Sequence, residues 1–313
     1  MHPTQSAREL KDEVVFITFS RRNEEAYLRW RDEKLSRFPS STEALIVEIC
    51  DLNNLSKAEV EAVQDRLKRA NMAIYKSSAP SDVAQARPQV QALAARFGLQ
   101  HIDRNPYADE DAITPLQVAQ AGGRKLYIPY TNKAIRWHTD GYYNPSDRTV
   151  RAMILHCVHQ AGEAGGENQL FDPELAYILM RDHDPDMIKA FTAGSVLTIP
   201  GNDMDDDIQR DDVTGPVFSV DPASAALHMR YTARSRHVEW AKDDATSRAV
   251  TFMHDILGGP YTFTHRLEAG EGLICNNVLH TRSSFVDGAE VSAQRLMLRA
   301  RYVQRVQTSP QTV

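Results

Sequence analysis

Two residues that can bind a metal stand two positions apart, His138 and Asp140 in the run WHTDG. Residues two apart on an extended strand point to the same side, so both side chains can reach one ion. His280 is the third candidate, because it follows the strand-like segment GLICN and the turn-prone pair Asn276-Asn277. Two imidazoles and one carboxylate are the ligand set of non-haem Fe(II) oxygenases, which keep coordination positions open for a cosubstrate and O₂. The pattern predicts an iron site formed by these three residues.

An arginine-rich segment, QRLMLRARYV, follows the candidate site in the sequence. Strand alternation places Arg295, Arg299 and Arg301 on one face, so we expect them to line the polar interior of a barrel. Fe(II), one aspartate and a dicarboxylate cosubstrate together carry net negative charge, which is costly to bury without a bidentate arginine partner. Arg295 can fill that role. The other arginines on this face then predict an anionic primary substrate.

Two further patterns resemble metal sites and are interpreted differently. His156 and His159, in HCVH, are three apart on a predicted strand and face opposite sides, so we interpret them as structural or surface residues. The acidic run from Asn202 to Asp212 lacks the glycine and terminal glutamate of an EF-hand loop. A solvated loop is the better interpretation of that run.

The first hundred residues combine helix and strand signals. Ser56 and Glu59 form a capping-box pattern that predicts a helix, and a strand is expected over residues 72–77. Pro88 favours the first turn of another helix, which ends just before Gly98, a residue suited to a left-handed cap.

Short strand-like segments dominate from about residue 123, among them RKLYIPY, NQLF and GLICN. Helices are expected after Asp172-Pro173 and between about Val238 and Leu257. The pattern predicts the α+β class, with a sandwich or a jelly-roll (double-stranded β-helix) core and flanking helices. We expect one catalytic domain over residues 1–313, mixed α/β over 1–120 and jelly roll over 121–313.

Composition excludes several classes of partner. The 313 residues carry a formal charge of −6 at pH 7, the basic residues are scattered, and no apolar stretch could span a bilayer. We therefore expect no nucleic-acid partner and no membrane contact. Three widely spaced cysteines and no secretory signal predict a reducing cytoplasm. The sequence leaves open whether the chain forms a homo-oligomer.

The segments WHTDGYYN, AGGENQLFD, NNVLHTRSSF and QRLMLRARYV occur in an order that resembles the TauD/TfdA family of Fe(II)/2-oxoglutarate-dependent dioxygenases, over roughly residues 45–303. The resemblance implies that His138, Asp140 and His280 bind Fe(II). The segments LHTRSSF and RLMLRAR are also similar to the carbon-starvation-induced glutarate hydroxylase branch. Residues Cys275-Asn276-Asn277 and the longer stretch after His280 depart from the family pattern.

Further roles follow from the resemblance. Arg295 would hold the far carboxylate of 2-oxoglutarate, and Asn168 stands where the family often has a threonine that bonds this carboxylate. Arg299 matches a position that often meets the anionic group of the substrate, and Arg301 shares its strand face.

Tyr142 and Tyr143 follow the ligand pair directly in the sequence. Two interpretations of them remain open, because aromatic residues on a strand can line a substrate pocket or pack in a core.

The implied function is a dioxygenase that oxidises a small carboxylate or sulfonate, with 2-oxoglutarate and O₂ as cosubstrates. Loops around residues 105–122 and 201–216 are expected to close the pocket. One alternative is a non-catalytic barrel that binds a small anion, and the loss of a metal ligand would favour it. Another is a zinc-dependent hydrolase, since two histidines and an aspartate also bind zinc, but no His-Glu-x-x-His motif is present.

Overall fold

A computed structural model of the chain describes residue 19 and residues 23–80, 82–104, 109–120, 122–201, 210–222 and 224–308. The expected closing loops, 105–122 and 201–216, and the acidic run after Asn202 lie partly outside these residues. The described α-helices are α1 (Glu24–Arg37), α2 (Lys57–Ala70), α3 (Val83–Arg96), α4 (Pro173–His183), α5 (Pro185–Phe191) and α6 (Asp244–Ile256). No helix in the described ranges is long and apolar enough to cross a membrane.

The strands are mostly short, as the sequence predicts. They are β1 (Ile46–Glu48), β2 (Met72–Lys76), β3 (Thr114–Leu116), β4 (Ile135–His138), β5 (Ala152–His159), β6 (Ala164–Gly165), β7 (Asn168–Phe171), β8 (Leu197–Ile199), β9 (Val213–Gly215), β10 (Phe218–Val220), β11 (Leu227–Met229), β12 (Glu239–Trp240), β13 (Phe263–His265), β14 (Glu271–Cys275), β15 (Leu279–Arg282), β16 (Phe285–Val286) and β17 (Leu296–Tyr302).

Two sheets form the centre of the fold. The six-stranded sheet has the order β1-β2-β14-β5-β17-β3, and the four-stranded sheet has the order β13-β7-β15-β4. Met153, Leu273 and Met297 of the first sheet share one buried cluster with Leu170 and Phe263 of the second. Since both sheets contribute to this cluster, they pack face to face around it.

Helices α2 and α3 cover the outer face of the six-stranded sheet. Helix α2 begins with the predicted capping box, in which the Ser56 side chain accepts from the Glu59 backbone N–H and the Glu59 side chain accepts in return. Its buried residues, Val60, Val63, Leu67 and Ala70, recur at helical spacing. The apolar stripe predicted for this helix is therefore confirmed, and it packs against the sheet.

Helix α3 begins earlier than the sequence predicts. Asp82 caps it by accepting a hydrogen bond of 2.9 Å from the Gln85 backbone N–H, so Pro88 lies inside the helix and not in its first turn. The expected start at Pro88 is wrong, because a well-placed cap outweighs the cost of one missing backbone hydrogen bond. Gly98 has the left-handed conformation expected of it, with φ of 74°.

Two other local predictions are also wrong. The segment RKLYIPY forms two short 3₁₀ turns, Gly123–Leu126 and Ile128–Tyr130, and not a strand. Helix α6 begins at Asp244 under an Asp243 cap, whereas residues 239–240 form β12, which pairs with β8. In both cases hydrogen bonds to distant segments determine the conformation, and the local spacing of apolar residues does not predict it.

The last strand has the predicted alternation. Leu298, Ala300 and Tyr302 lie in the cluster beneath α2 and α3, whereas Met297 lies in the cluster between the two sheets. Arg299 and Arg301 therefore share the inner face of the barrel with Met297.

Candidate active site

Strands β4 and β15 are neighbours, and their register sets His138 opposite His280. The two imidazole rings have centroids 4.2 Å apart. Asp140 follows β4 by two residues, and one ligand atom from each of these three side chains lies within 4.8 Å of the others. Thr139 points away, as expected, and its hydroxyl accepts a hydrogen bond of 3.1 Å from the Tyr231 backbone N–H. The structure thus brings together the three residues predicted as ligands.

The histidines are oriented for metal binding. The Nδ1 atom of His138 lies 2.9 Å from the Arg136 carbonyl oxygen, and that of His280 lies 2.9 Å from the Val278 carbonyl oxygen. Each carbonyl can only accept, so Nδ1 carries the proton and Nε2 keeps its lone pair. The Nε2 atoms of His138 and His280 lie 3.6 Å and 4.0 Å from Asp140 Oδ1.

The Asp140 carboxylate supplies an independent test of this fit. Its Oδ2 atom is buried and has no hydrogen-bond partner in the described part of the chain. A buried carboxylate oxygen without a donor is costly, and a bound cation removes that cost. Two free Nε2 lone pairs beside such an oxygen match the facial ligand set of Fe(II).

Electrostatics keep the ligands in the protonation states that a metal requires. Burial raises the pKa of Asp140, but the nearby charges of Arg299 and Arg301 outweigh it and hold the pKa well below its usual range. Burial, and then the nearness of His138, lower the pKa of His280 to about 4. The carboxyl is therefore ionised and the His280 ring neutral near pH 7, as metal binding demands.

Asn277 holds the backbone of Asp140 and was not predicted as a site residue. Its Oδ1 accepts from the Asp140 backbone N–H at 2.8 Å, and its Nδ2 donates to the Asp140 carbonyl at 2.9 Å and the Val150 carbonyl at 2.6 Å. Gly141 completes the turn with φ of 69°, where an added Cβ would lie 2.5 Å from Val150 Cγ2. Asp140 is thus fixed through its main chain.

Arg295 lies just before β17 and is 5% exposed. Its backbone N–H donates to Asp287 Oδ1 at 2.7 Å, and its guanidinium lies over the ring of Phe285 at 5.3 Å. Within the described ranges no carboxylate lies within 4.0 Å of that guanidinium. Asn168 is buried on β7, where Nδ2 donates to the Thr281 carbonyl at 2.8 Å and Oδ1 has no described partner.

Arg299 and Arg301 have different partners on the inner face. Arg299 Nη1 lies 3.3 Å from Asp140 Oδ1, and no second carboxylate in the described part of the chain pairs with it. Arg301 donates to the Tyr143 hydroxyl at 2.8 Å and forms a short ion pair with buried Asp103. Arg301 is therefore paired within the protein, with a carboxylate that it shares with Arg148, whereas Arg299 pairs only with the candidate metal ligand.

Tyr142 and Tyr143 are both close to these groups. The Tyr142 ring lies edge-on to the His138 ring, with centroids 6.3 Å apart, and its hydroxyl accepts from Arg234 Nη1 at 3.1 Å. The guanidinium of Arg210 lies over the Tyr143 ring at 5.4 Å. Arg234 and Arg210 were missed as site residues. The only signal available for Arg234 was the density of arginines in RYTARSR.

The chain matches the model of the family described as taurine catabolism dioxygenase TauD, TfdA family, over residues 34–301. It therefore belongs to the TauD/TfdA family, and the resemblance predicted from its motifs is confirmed. A curated relative, uridine-5'-phosphate dioxygenase from Amycolatopsis sp., is 30% identical over 184 residues. That match covers 55% of this chain and 62% of the relative, less than two thirds of the relative's length.

Solved structures show the fold. The PvcB protein from Pseudomonas aeruginosa matches with a TM-score of 0.58 at 13% identity, over 84% of this chain and 87% of that one. Another PvcB structure describes it as an Fe, α-ketoglutarate-dependent oxygenase. An asparagine oxygenase in complex with Fe(II), hydroxyasparagine and succinate matches with a TM-score of 0.55 at 12% identity, over 82% and 93%. The predicted double-stranded β-helix of such oxygenases is confirmed.

Proposed function

We propose that this protein is an Fe(II)/2-oxoglutarate-dependent dioxygenase that oxidises a small anionic substrate. The observation that carries the proposal is the convergence of His138, Asp140 and His280 around a buried carboxylate oxygen without a partner. When bound, the iron supplies the oxidation, in which 2-oxoglutarate and O₂ yield succinate and CO₂ and the substrate C–H becomes C–OH. The chain supplies the three metal ligands and the arginines whose positive charge holds the acids.

Arg295 and Asn168 are proposed to bind the distal carboxylate of 2-oxoglutarate. The proposal is supported by the Arg295 guanidinium, which is buried and has no carboxylate of the described chain beside it. An arginine fork can donate two parallel hydrogen bonds to a carboxylate. The Asn168 amide donates to Thr281 through one N–H, which leaves its second N–H for the same acid.

An anionic primary substrate is supported by the cations around Tyr142 and Tyr143. Each tyrosine hydroxyl accepts from a guanidinium, Tyr142 from Arg234 and Tyr143 from Arg301, so each keeps its own proton for a further acceptor. Arg299 pairs with Asp140 through Nη1, and its buried Nε has no partner among the described residues, so this guanidinium keeps a donor for an anion. We therefore propose that Arg299, Tyr142 and Tyr143 bind the substrate anion.

Arg301 is proposed to act on the substrate through Tyr143, since it already pairs with Asp103 and donates to the Tyr143 hydroxyl. The substrate is proposed to carry a carboxylate, a sulfonate or a phosphate. Uridine-5'-phosphate, named as the substrate of the curated relative, is itself anionic. The local similarity to the glutarate hydroxylase branch stays a prediction.

The two alternative functions receive less support. A binding protein without catalysis would be favoured by the loss of a ligand, yet all three ligands converge. A zinc hydrolase leaves the arginine-lined face without a purpose and differs from the dioxygenase family. We also propose one catalytic domain, since β1 and β2 share a sheet with β14, β5 and β17. The described cysteines are free thiols, which supports the proposed reducing cytoplasm.

The test begins with metal-free protein, to which Fe(II) and 2-oxoglutarate are added without oxygen. We expect the visible charge-transfer band of the iron chelate for the wild type and for His159→Ala, whose histidine lies outside the triad, and no band for His138→Ala. Small carboxylates, sulfonates and phosphates are then screened in air for stimulated succinate release. An unchanged band and turnover in His138→Ala would overturn the assignment.

A further inference from the structure

The phenyl ring of Phe285 lies against two guanidinium groups. The Cζ atom of Arg282 is 5.0 Å from the ring centroid, and that of Arg295 is 5.3 Å from it. All three residues are buried, with exposed fractions of 4%, 4% and 5% for Phe285, Arg282 and Arg295. A cation over an aromatic face is attracted by the ring quadrupole, and the attraction is strongest where water is absent.

The hydrogen bonds of the two arginines differ. Arg282 donates to the backbone carbonyls of Ile128, Pro129 and Thr131, with the Thr131 contact at 2.7 Å. These bonds fix Arg282 through both of its terminal nitrogens, while its buried Nε has no partner among the described residues. The guanidinium of Arg295 has no hydrogen bond or ion pair to any described residue, and Asp287 accepts only from its backbone. Arg295 is therefore the cation of this pair whose donors remain available to a ligand.

The backbone of Gly166 lies beside the Arg295 side chain. A Cβ built there would lie 3.5 Å from Arg295 Nε and 3.8 Å from Phe285 Cβ, and Gly166 has φ of 83°, a left-handed conformation. The stem of Arg295 is thus confined between the Phe285 side chain and a glycine backbone. With little freedom left, the direction of its guanidinium depends on the ring beside it.

Both cations remain charged in this buried position. Burial lowers the pKa of Arg295 to about 10, and burial together with the nearby charge of Arg295 lowers the pKa of Arg282 to about 9. Two positive charges beside one ring repel each other, so a ligand anion at Arg295 relieves that repulsion. A ligand that is neutral at this end does not relieve the repulsion.

We propose that Phe285, together with Arg282, is a positioning residue that fixes the Arg295 guanidinium and thereby selects 2-oxo acids that carry a distal carboxylate. The inference rests on the proposed function of Arg295 as the anchor of 2-oxoglutarate. Phe285 does not touch the acid itself. It acts through the arginine, and its loss should weaken only the contribution of the distal carboxylate.

The test compares two 2-oxo acids of the same chain length, 2-oxoglutarate and 2-oxopentanoate, which lacks the distal carboxylate. Their dissociation constants are measured with the Fe(II)-loaded protein under anaerobic conditions, by calorimetry or by the chelate absorbance. In Phe285→Leu we expect the affinity for 2-oxoglutarate to fall about tenfold, while that for 2-oxopentanoate changes less than twofold. Val286→Ala, at the half-exposed neighbour on the same strand, should behave as wild type.

A polyfluorinated phenylalanine at position 285 serves as the second variant. It keeps the shape and apolar character of the ring but removes its negative face, so a purely structural role would leave both affinities unchanged. We expect it to lower 2-oxoglutarate affinity as Phe285→Leu does. If Phe285→Leu fails to fold, the fluorinated variant alone tests the positioning role of Phe285.

The outcomes separate the two proposals. A wild type that binds both acids equally would refute Arg295 as the carboxylate anchor, and with it the proposed function of that residue. A wild type that discriminates, together with a fluorinated variant that discriminates equally, would refute only the role of Phe285.

Discussion

At the scale of single residues, Asn277 determines how firmly Asp140 is held. Its side chain makes three buried hydrogen bonds to the backbone of Asp140 and Val150. Asn277→Ala should lower the free energy of unfolding by about 3 kcal/mol, since a buried hydrogen bond contributes about 1 kcal/mol. It should also weaken Fe(II) binding by about tenfold or more, as loss of outer-shell support for a ligand does. Equilibrium unfolding and metal titration measure the two effects.

The neighbouring asparagine is a matched control. Asn276 also makes buried hydrogen bonds, to Asn71 and to the Val306 backbone N–H, and neither of these joins it to Asp140. Asn276→Ala should therefore lose stability while keeping its iron affinity. Equal loss of metal in both variants would mean that Asn277 acts through general stability and not through Asp140.

The sequence is informative about ligands but not about the residues that support them. His138 and Asp140 are identifiable because strand alternation fixes which side chains share a face, and His280 because a turn precedes it. Asn277 and Arg234 act through contacts with residues 137 and 92 positions away in the chain. Such contacts depend on the register between strands and on the path of loops, which local patterns do not encode.

At the scale of elements, helix α1 docks through aromatic packing of Tyr27 and Trp30 on Tyr177 and through a buried ion cluster. Its buried residues are Ala26, Tyr27 and Lys34. The Lys34 ammonium lies 2.6 Å from a carboxylate oxygen of Asp172 and 2.6 Å from one of Glu174, at the start of α4. Asp172 is also the N-cap of α4. One buried ion cluster thus fixes the docking of two helices.

Lys34→Met should destabilise the protein by about 3–5 kcal/mol, because it leaves two carboxylates near one another without their cation. Urea unfolding measures the change. Lys57→Met is the control, since Lys57 lies 3.7 Å from Glu61 on the surface with 89% of its side chain exposed. That variant should stay within about 0.5 kcal/mol of wild type. Equal changes in the two variants would contradict the role of the buried cluster.

The predictability of an element depends on where its stabilising contacts lie. Helix α2 was predicted because its cap and apolar stripe are local in sequence. Helix α1 was missed because its few buried residues form no apolar stripe. The strand predicted over RKLYIPY is absent because its carbonyls at 128 and 129 turn toward Arg282, about 150 residues away, and not toward a neighbouring strand.

At the scale of the whole molecule, the jelly roll was predicted from many short strands, but the membership of each sheet was not. Strands β1 and β2 come from the mixed N-terminal part, yet β2 pairs with β14 in the same sheet as β5 and β17. Sheet order is set by contacts between segments far apart in the chain, so the residue spacing within one segment does not predict it. The buried groups at this junction therefore affect global stability.

His156 is such a group, and it should make the whole fold sensitive to acid. The ring is fully buried, and its Nδ1 lies 3.0 Å from the Tyr75 hydroxyl. Burial lowers its pKa from 6.5 to about 4, so between these pH values the unfolded chain binds a proton that the folded chain does not. The contribution of His156 to the free energy of unfolding is therefore complete above pH 6.5 and falls by about 3 kcal/mol as the pH drops to 4.

His156→Asn, which keeps a partner for the Tyr75 hydroxyl, should flatten this part of the stability profile, whatever its effect at neutral pH. His254→Asn, at an exposed position on α6, should leave the profile unchanged. The measurement is the free energy of unfolding in urea at several pH values across this window, with metal-free protein in every case so that iron loss does not contribute. Carboxylates elsewhere titrate equally in all three proteins, so the difference between the stability profiles isolates the contribution of His156. Identical slopes in wild type and His156→Asn would show that this ring does not limit stability in acid.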